Sequence, residues 1–193
     1  LDSGIEYEGF ITNVTGGEEG KRKLGVNIYL EREGVEDSHE INAEAMATRK
    51  RLAQSDNVKV VDEIRETLIG EHSFRDKQEK SIGRLEQGIN TLSIFRTGGG
   101  KSAVFQTIAS LKAIKDNTSS ILVYPLNSLI NDQYNTLKEK LSELGLRVYR
   151  GVGVDKDNTS MLKERRSLNK AIDKGKVDLL LTTPEFLEYH IEK

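Results

Sequence analysis

The sequence has no cysteine and only two prolines among its 193 residues. Without thiols there are no disulfides and no thiolate metal site, and the composition suits a reducing, cytoplasmic setting. The three histidines, His39, His72 and His190, are too scattered for a zinc site. No apolar run approaches the ~20 residues that cross a bilayer, so no membrane partner is expected. There is no signal-peptide pattern and no initiator methionine, and Leu1 is expected to be a cut point. A dominant charge of one sign is also missing, since the formal net charge is −2.

The balance hides an asymmetry. Residues 1–40 hold ten acidic and four basic side chains, net −6, and the remainder holds 21 acidic and 25 basic, net +4. This places a boundary near residue 40, and the second part is the one suited to a polyanion. With 36% hydrophobic and 31% charged residues, the chain is a globular protein of one domain plus appendages.

One stretch organises the rest: Phe95-Arg96-Thr97-Gly98-Gly99-Gly100-Lys101-Ser102. It lies between an apolar run (Ile89, Leu92, Ile94, Phe95) and a helical pattern (Ala103, Val104, Ile108, Leu111, Ile114). A strand, a glycine loop and a helix are the context that a phosphate-binding P-loop requires. The glycines allow backbone N–H groups to converge on a polyphosphate, and the helix presents its positive end to the same anion. Lys101 can reach the outer phosphates, and the Ser102 hydroxyl can ligate Mg²⁺. The strict pattern asks for glycine where Phe95 stands.

Upstream, residues 5–14 and Leu24-to-Leu30 alternate as strands about the turn cluster Thr15-to-Gly20, which predicts a β-hairpin. Residues 41–54 and 58–69 are helical in period. From residue 74 the pattern alternates strictly. Helix 75–87, strand 89–95, helix 101–115, strand 120–124 and helix 126–143 come first. Strand 146–150, helix 159–174, strand 177–182 and helix 184–191 follow. Repeated βα units imply a parallel sheet with helices on both faces. Pro125 and Pro184 each follow a strand and are expected at the first position of a helix. Their loops open at the C-terminal edge of the sheet, where ligands of open α/β sheets bind.

Thr97-Gly98-Gly99-Gly100-Lys101-Ser102 resembles motif I of superfamily 2 DEAD/DEAH-box helicases, most of all the RecQ branch. In that superfamily the first loop position is commonly not glycine, and Arg96 stands where the family usually has proline. Phe74-Arg75-Asp76-Lys77-Gln78 resembles the RecQ-type motif 0. The resemblance implies that Gln78 pairs with the adenine edge and Arg75 assists; an amide offers donor and acceptor together. Many RecQ proteins have an aromatic residue four places before that arginine, and here Glu71 occupies it, beside His72. Val123-Tyr124-Pro125-Leu126-Asn127-Ser128-Leu129, with Asn131-Asp132-Gln133, resembles motif Ia. Thr182-Thr183-Pro184-Glu185 resembles motif Ib. Both imply contact with the backbone of a nucleic-acid strand: Pro125, Leu126, Asn127 and Ser128 in one loop, Thr182, Thr183 and Pro184 in the other. The basic run Lys163, Arg165, Arg166, Lys170, Lys174 and Lys176 reads as a solvated helix face.

The resemblance implies a RecA-like P-loop lobe that binds ATP and Mg²⁺ through Arg75, Gln78, Thr97, Gly98, Gly99, Gly100, Lys101 and Ser102, with Lys101 as the catalytic cation. The expected layout is a β-hairpin segment or tail of an upstream domain at 1–40, a helical lead-in at 41–71 and a partial first lobe at 72–193. After the Thr-Pro-Glu helix the family has a strand ending in Asp-Glu-Ala-His, which holds Mg²⁺ and positions water. No such strand occurs in these 193 residues, and Asp62-Glu63 precedes the glycine loop in a helical pattern. The expectation is therefore an ATP-dependent DNA helicase as parent, acting on single-stranded or partially duplex DNA, with a second RecA-like lobe downstream. The fragment alone is expected not to be competent. An RNA helicase or duplex translocase of the same superfamily, or a non-enzymatic helicase-like module fused to a nuclease or oligonucleotide-binding domain, are the alternatives.

Overall fold

The computed structural model describes residues 7–15, 25–32, 40–96, 98–153 and 159–191. The chain forms two compact units, Leu1–Glu40 and Ile41–Lys193. In the first, β1 (Tyr7–Thr15) and β2 (Gly25–Arg32) pair antiparallel, with Tyr7 opposite Arg32 and Thr15 opposite Gly25. The register shifts between Ile11 and Val14, an irregularity of the β-bulge kind. Most of the expected turn cluster falls within 16–24, outside the described residues.

The second unit is α/β. Its elements are α1 (Ala43–Gln54), α2 (Asn57–Ile69), α3 (Asp76–Glu86), α4 (Lys101–Lys115), β3 (Ser120–Val123), α5 (Asn127–Ser142), β4 (Val148–Gly151), α6 (Thr159–Asp173), β5 (Leu179–Thr182) and α7 (Pro184–Ile191). The three strands form a parallel sheet in the order β3-β5-β4. Leu179 and Leu181 face one way and join Leu122, Val148, Ile130, Leu141 and Ile64 in the main core. Leu180 faces the other way and packs with Tyr149, Leu168 and Ala171. This two-sided burial explains why β5 reads Leu-Leu-Leu without alternation.

Helix α4 is buried nearly all round, and its small residues Ala103, Ala109, Ser110 and Ala113 let neighbours approach closely. Helices α1 and α2 pack within this same unit. Their starts are capped by side chains: Asn42 Oδ1 accepts from the Ala45 N–H at 2.8 Å, and Asp56 Oδ1 from the Lys59 N–H at 3.0 Å. Arg49 of α1 donates to both carboxylate oxygens of Asp178, at 3.1 and 2.8 Å, and to the carbonyls of Gly145 and Ala113. Asp178 also accepts from the Arg147 N–H at 2.8 Å. This buried pair ties α1 to the N-terminal edge of the sheet, away from the glycine loop.

Two expectations require correction. Residues 89–95 form no ladder hydrogen bonds to another described strand. Leu92 and Ile94 are 89% and 79% exposed. Their alternation reports a pleat, while a strand also requires a partner. Pro125 does not open a helix. Leu126, extended at φ −141°, is the N-cap of α5, so Pro125 lies outside it, whereas Pro184 is the first residue of α7. On the Leu180 side of the sheet, Ile121 and Val123 of the edge strand β3 are 55% and 52% exposed.

Candidate nucleotide and nucleic-acid site

The glycine loop leads directly into α4. Gly100 is its N-cap, with φ +76°, and Gly98 also lies in the left-handed region at φ +71°. The left-handed φ favours glycine there, and a Cβ on Gly100 would lie 2.4 Å from Gln78 Nε2 and push that amide aside. The Gly99 N–H donates to the Arg96 carbonyl at 2.9 Å and closes the turn. Thr97 lies outside the described residues. Lys101 is exposed, and its ammonium makes a long contact of 3.4 Å with the Phe95 carbonyl. Ser102, half-buried, occupies the first turn of α4.

Motif 0 and motif I meet at Gln78, which is 5% exposed. Its Oε1 accepts from the Arg75 N–H at 2.8 Å, capping α3, and its Nε2 donates to the Gly100 carbonyl at 2.9 Å. A primary amide has two N–H groups and two lone pairs, so one of each remains. Beside it a cleft of about 570 Å³ is lined by Arg75, Asp76, Lys77, Phe95, Arg96 and Gly99. Three cations and an aromatic ring suit a nucleotide anion with an apolar base. His72 is exposed and is not among the residues lining the cleft; Arg65 bonds its carbonyl at 2.9 Å. A second groove, between α1, α2 and α5, is lined by Glu63, Glu66, Glu139 and Glu143. Its acidity opposes a polyanion.

The expected nucleic-acid loops lie side by side, because the Tyr124 N–H donates to the Thr182 carbonyl at 2.8 Å and prolongs the β3–β5 ladder. Pro125, Leu126, Asn127 and Ser128 are exposed, and no side chain caps α5. Its first amides are therefore open to an anion. Thr182 differs from expectation. It is wholly buried, and its hydroxyl donates to the Gly151 carbonyl at 2.7 Å, so its side chain is turned inward. Thr183 accepts from the Phe186 N–H at 3.4 Å as the cap of α7, and Pro184 is exposed. The Glu185 carboxyl is held below its usual range by its own backbone N–H and then by Thr183.

Of the basic run, Arg165 is a packing residue. Its guanidinium lies 4.4 Å from the centre of the Phe186 ring and contacts His190, which stacks on Phe186 at 4.3 Å. Burial lowers its pKa first, with Tyr189 opposing. Sequence periodicity did not single out Gln106 or Arg150. Gln106 Nε2 donates to Gln133 Oε1 at 3.1 Å, and Arg150 bonds Glu164 at 2.7 and 3.0 Å and Asn131 at 2.6 Å. Neither pairing follows a helical or strand period, so only the folded chain reveals it.

A parallel sheet with helices on both faces, and a glycine loop opening α4, define an α/β P-loop lobe of the RecA-like type. The DEAD/DEAH box helicase family model matches residues 75–193. The chain belongs to the DEAD/DEAH box helicase family. It is 34% identical over 119 residues to ATP-dependent DNA helicase Q4 of Mus musculus, a match covering 62% of this chain and 9% of that protein. It is 32% identical over 126 residues to ATP-dependent DNA helicase Q-like 2 of Arabidopsis thaliana, covering 64% and 16%. With ATP-dependent DNA helicase RecQ of Haemophilus influenzae it shares 28% over 120 residues, covering 62% and 17%. The chain thus spans less than a fifth of each of these relatives.

Proposed function

We propose that this chain is the ATP-binding lobe of an ATP-dependent DNA helicase of the RecQ type. The observation that carries it is the Gln78–Gly100 hydrogen bond, which joins the expected base-binding amide to the phosphate loop, beside a cleft lined by Arg75, Lys77 and Arg96. Three relatives similar to this chain are named ATP-dependent DNA helicases, which favours DNA over RNA as substrate.

The amides of Gly98 and of Gly100 to Ser102, with the N-terminal end of α4, bind the phosphates of ATP, while the Gly99 N–H holds the turn. Lys101 neutralises the outer phosphate charge from the mouth of the loop. The Ser102 hydroxyl, half-buried at the first turn of α4, is a fitting oxygen ligand for Mg²⁺. When bound, Mg²⁺ supplies positive charge that offsets the negative charge building on the phosphates. The free N–H and lone pair of Gln78 address the adenine edge, and Arg75, bonded to Gln78 through its N–H, lines the neighbouring cleft. The DNA backbone lies on the open amides and the Asn127 and Ser128 side chains of α5, beside Pro184; Thr182 and Thr183, both buried, support this loop from within.

No Asp-Glu-Ala-His strand occurs in these 193 residues. Turnover needs the acidic pair and the second RecA-like lobe of a longer chain, and the 193-residue chain alone binds nucleotide without hydrolysing it. The test is ATP hydrolysis by the parent protein with and without single-stranded DNA. DNA-stimulated hydrolysis that Lys101→Ala abolishes is expected. Equal stimulation by Lys101→Ala protein, or hydrolysis indifferent to any nucleic acid, would exclude the assignment.

A further inference from the structure

The Gln106–Gln133 contact lies outside the site just described, yet it lies beneath both halves of it. Gln106 is five residues beyond Lys101, so it stands ~7.5 Å along α4 from the glycine loop. Gln133 is six residues beyond Asn127, ~9 Å along α5 from the exposed helix start. Both helices begin just after sequence stretches that are expected to meet ligands. Gln106 is 6% exposed, Gln133 is half-buried, and the two amides meet at 3.1 Å.

A buried amide has a preferred partner and a fixed register, which an apolar contact lacks. A second partner is at hand. The Tyr124 hydroxyl is buried without a hydrogen bond, close enough to Gln106 to interact with it. Tyr124 precedes Pro125, meets Phe105 of α4 edge-on at 6.0 Å and 74°, and holds the Thr182 carbonyl through its N–H. Gln106 therefore stands between Gln133 of α5 and Tyr124 at the end of β3, and each bears on a different part of the nucleic-acid loops. A continuous chain of hydrogen-bonded and packed side chains from α4 to α5 is a route by which two sites can be coupled.

We propose that Gln106 is a positioning residue that transmits the state of the glycine loop to the start of α5 through Gln133, and so couples nucleotide binding to the DNA-contacting loop. The inference rests on the nucleotide reading above. It requires no covalent step, only that α4 and α5 shift together when the loop closes on phosphate.

The experiment is an NMR titration of the 193-residue chain with Mg–ADP, following backbone amides and glutamine side-chain amides. The variants are Gln106→Met and Gln133→Met, which keep side-chain length and remove the hydrogen bond; spectra without ligand establish that each is folded. In the wild type, shifts are expected at Gly98 to Ser102 and also at Asn127, Ser128 and the Gln133 side chain. In either variant the loop shifts persist, and those at Asn127 and Ser128 fall at least about threefold; the double variant loses no more than either single one, because the pair acts as a unit. A merely structural role would lower the melting temperature and leave the reach of the shifts unchanged. Wild-type shifts confined to the loop and α4 would overturn the coupling while leaving the nucleotide reading intact. So would shifts at α5 that survive both substitutions. No shift at Gly98 to Ser102 in wild type would sink the nucleotide reading and this inference with it.

Discussion

Replacing Gln78 by alanine removes two hydrogen bonds at once, 2.8 Å from the Arg75 N–H and 2.9 Å to the Gly100 carbonyl. Neutral bonds of this kind are each worth about 0.5–1.5 kcal/mol net. Arg75 and Gly100 are both exposed residues, so water can reach the freed groups and the penalty for unpaired burial is small. A combined loss of about 1–3 kcal/mol is expected. It divides between the start of α3 and the conformation of the glycine loop. Only the Gly100 bond, worth about 0.5–1.5 kcal/mol, bears on the loop, so the affinity for Mg–ADP should fall ~2–13-fold, since 1.4 kcal/mol is a factor of ten. The adenine contact adds a second signature. Guanine presents a different donor and acceptor pattern to the free N–H and lone pair of Gln78. Wild type should prefer ADP over GDP, and Gln78→Ala should lose that preference while still binding pyrophosphate. Amide-shift titrations with ADP, GDP and pyrophosphate measure all three. An unchanged ADP-to-GDP ratio in Gln78→Ala would refute the base contact, and unchanged affinities throughout would refute the link between Gln78 and the loop as well.

Four other perturbations have distinct outcomes. Arg49→Ala leaves Asp178 buried without its cation and should cost about 3–5 kcal/mol in denaturant unfolding; a loss below about 1 kcal/mol would show that α1 is not held by this pair. Thr182→Val removes the donor to the Gly151 carbonyl and should destabilise the unit by about 1–3 kcal/mol. Ser128→Ala should instead weaken binding of oligodeoxythymidylate, measured by anisotropy, without changing stability; the reverse pattern would misplace the DNA-contacting hydroxyl. The Asp56 carboxyl is held below its usual range mainly by the Lys59 N–H it accepts. Its folded pKa lies under the unfolded value, so its contribution is present above about pH 4 and lost as pH falls through the folded pKa. Asp56→Asn should therefore melt below wild type near neutrality and converge with it in acid; a difference that widens in acid would contradict the cap.

Local pattern made most of the elements legible. The period of Val104, Ile108, Leu111 and Ile114 places α4, and the Leu179-to-Leu181 run places β5, because side chains in these elements meet the core at fixed intervals. The glycine loop was legible for a different reason: the left-handed backbone at Gly98 and Gly100 favours glycine over any other residue. What could not be read depends on partners distant in sequence. Residues 89–95 read as a strand from their apolar run, but such a run does not encode a pairing partner. Thr182 looked like a phosphate contact until the approach of Gly151 turned its hydroxyl inward. Arg49 with Asp178, and Gln106 with Gln133, are polar pairs that no periodicity marks. Pro125 and Pro184 looked equivalent from their neighbours, and only the extended Leu126 separates their roles.

The most direct measurement is calorimetric titration of Mg–ADP into the 193-residue chain and its Lys101→Ala variant, with folding of both checked by circular dichroism. A formed phosphate loop predicts weak, saturable binding by wild type and none by the variant. Equal binding by both proteins, or no binding to a folded wild type, would contradict a preformed nucleotide site at Gly98 to Ser102.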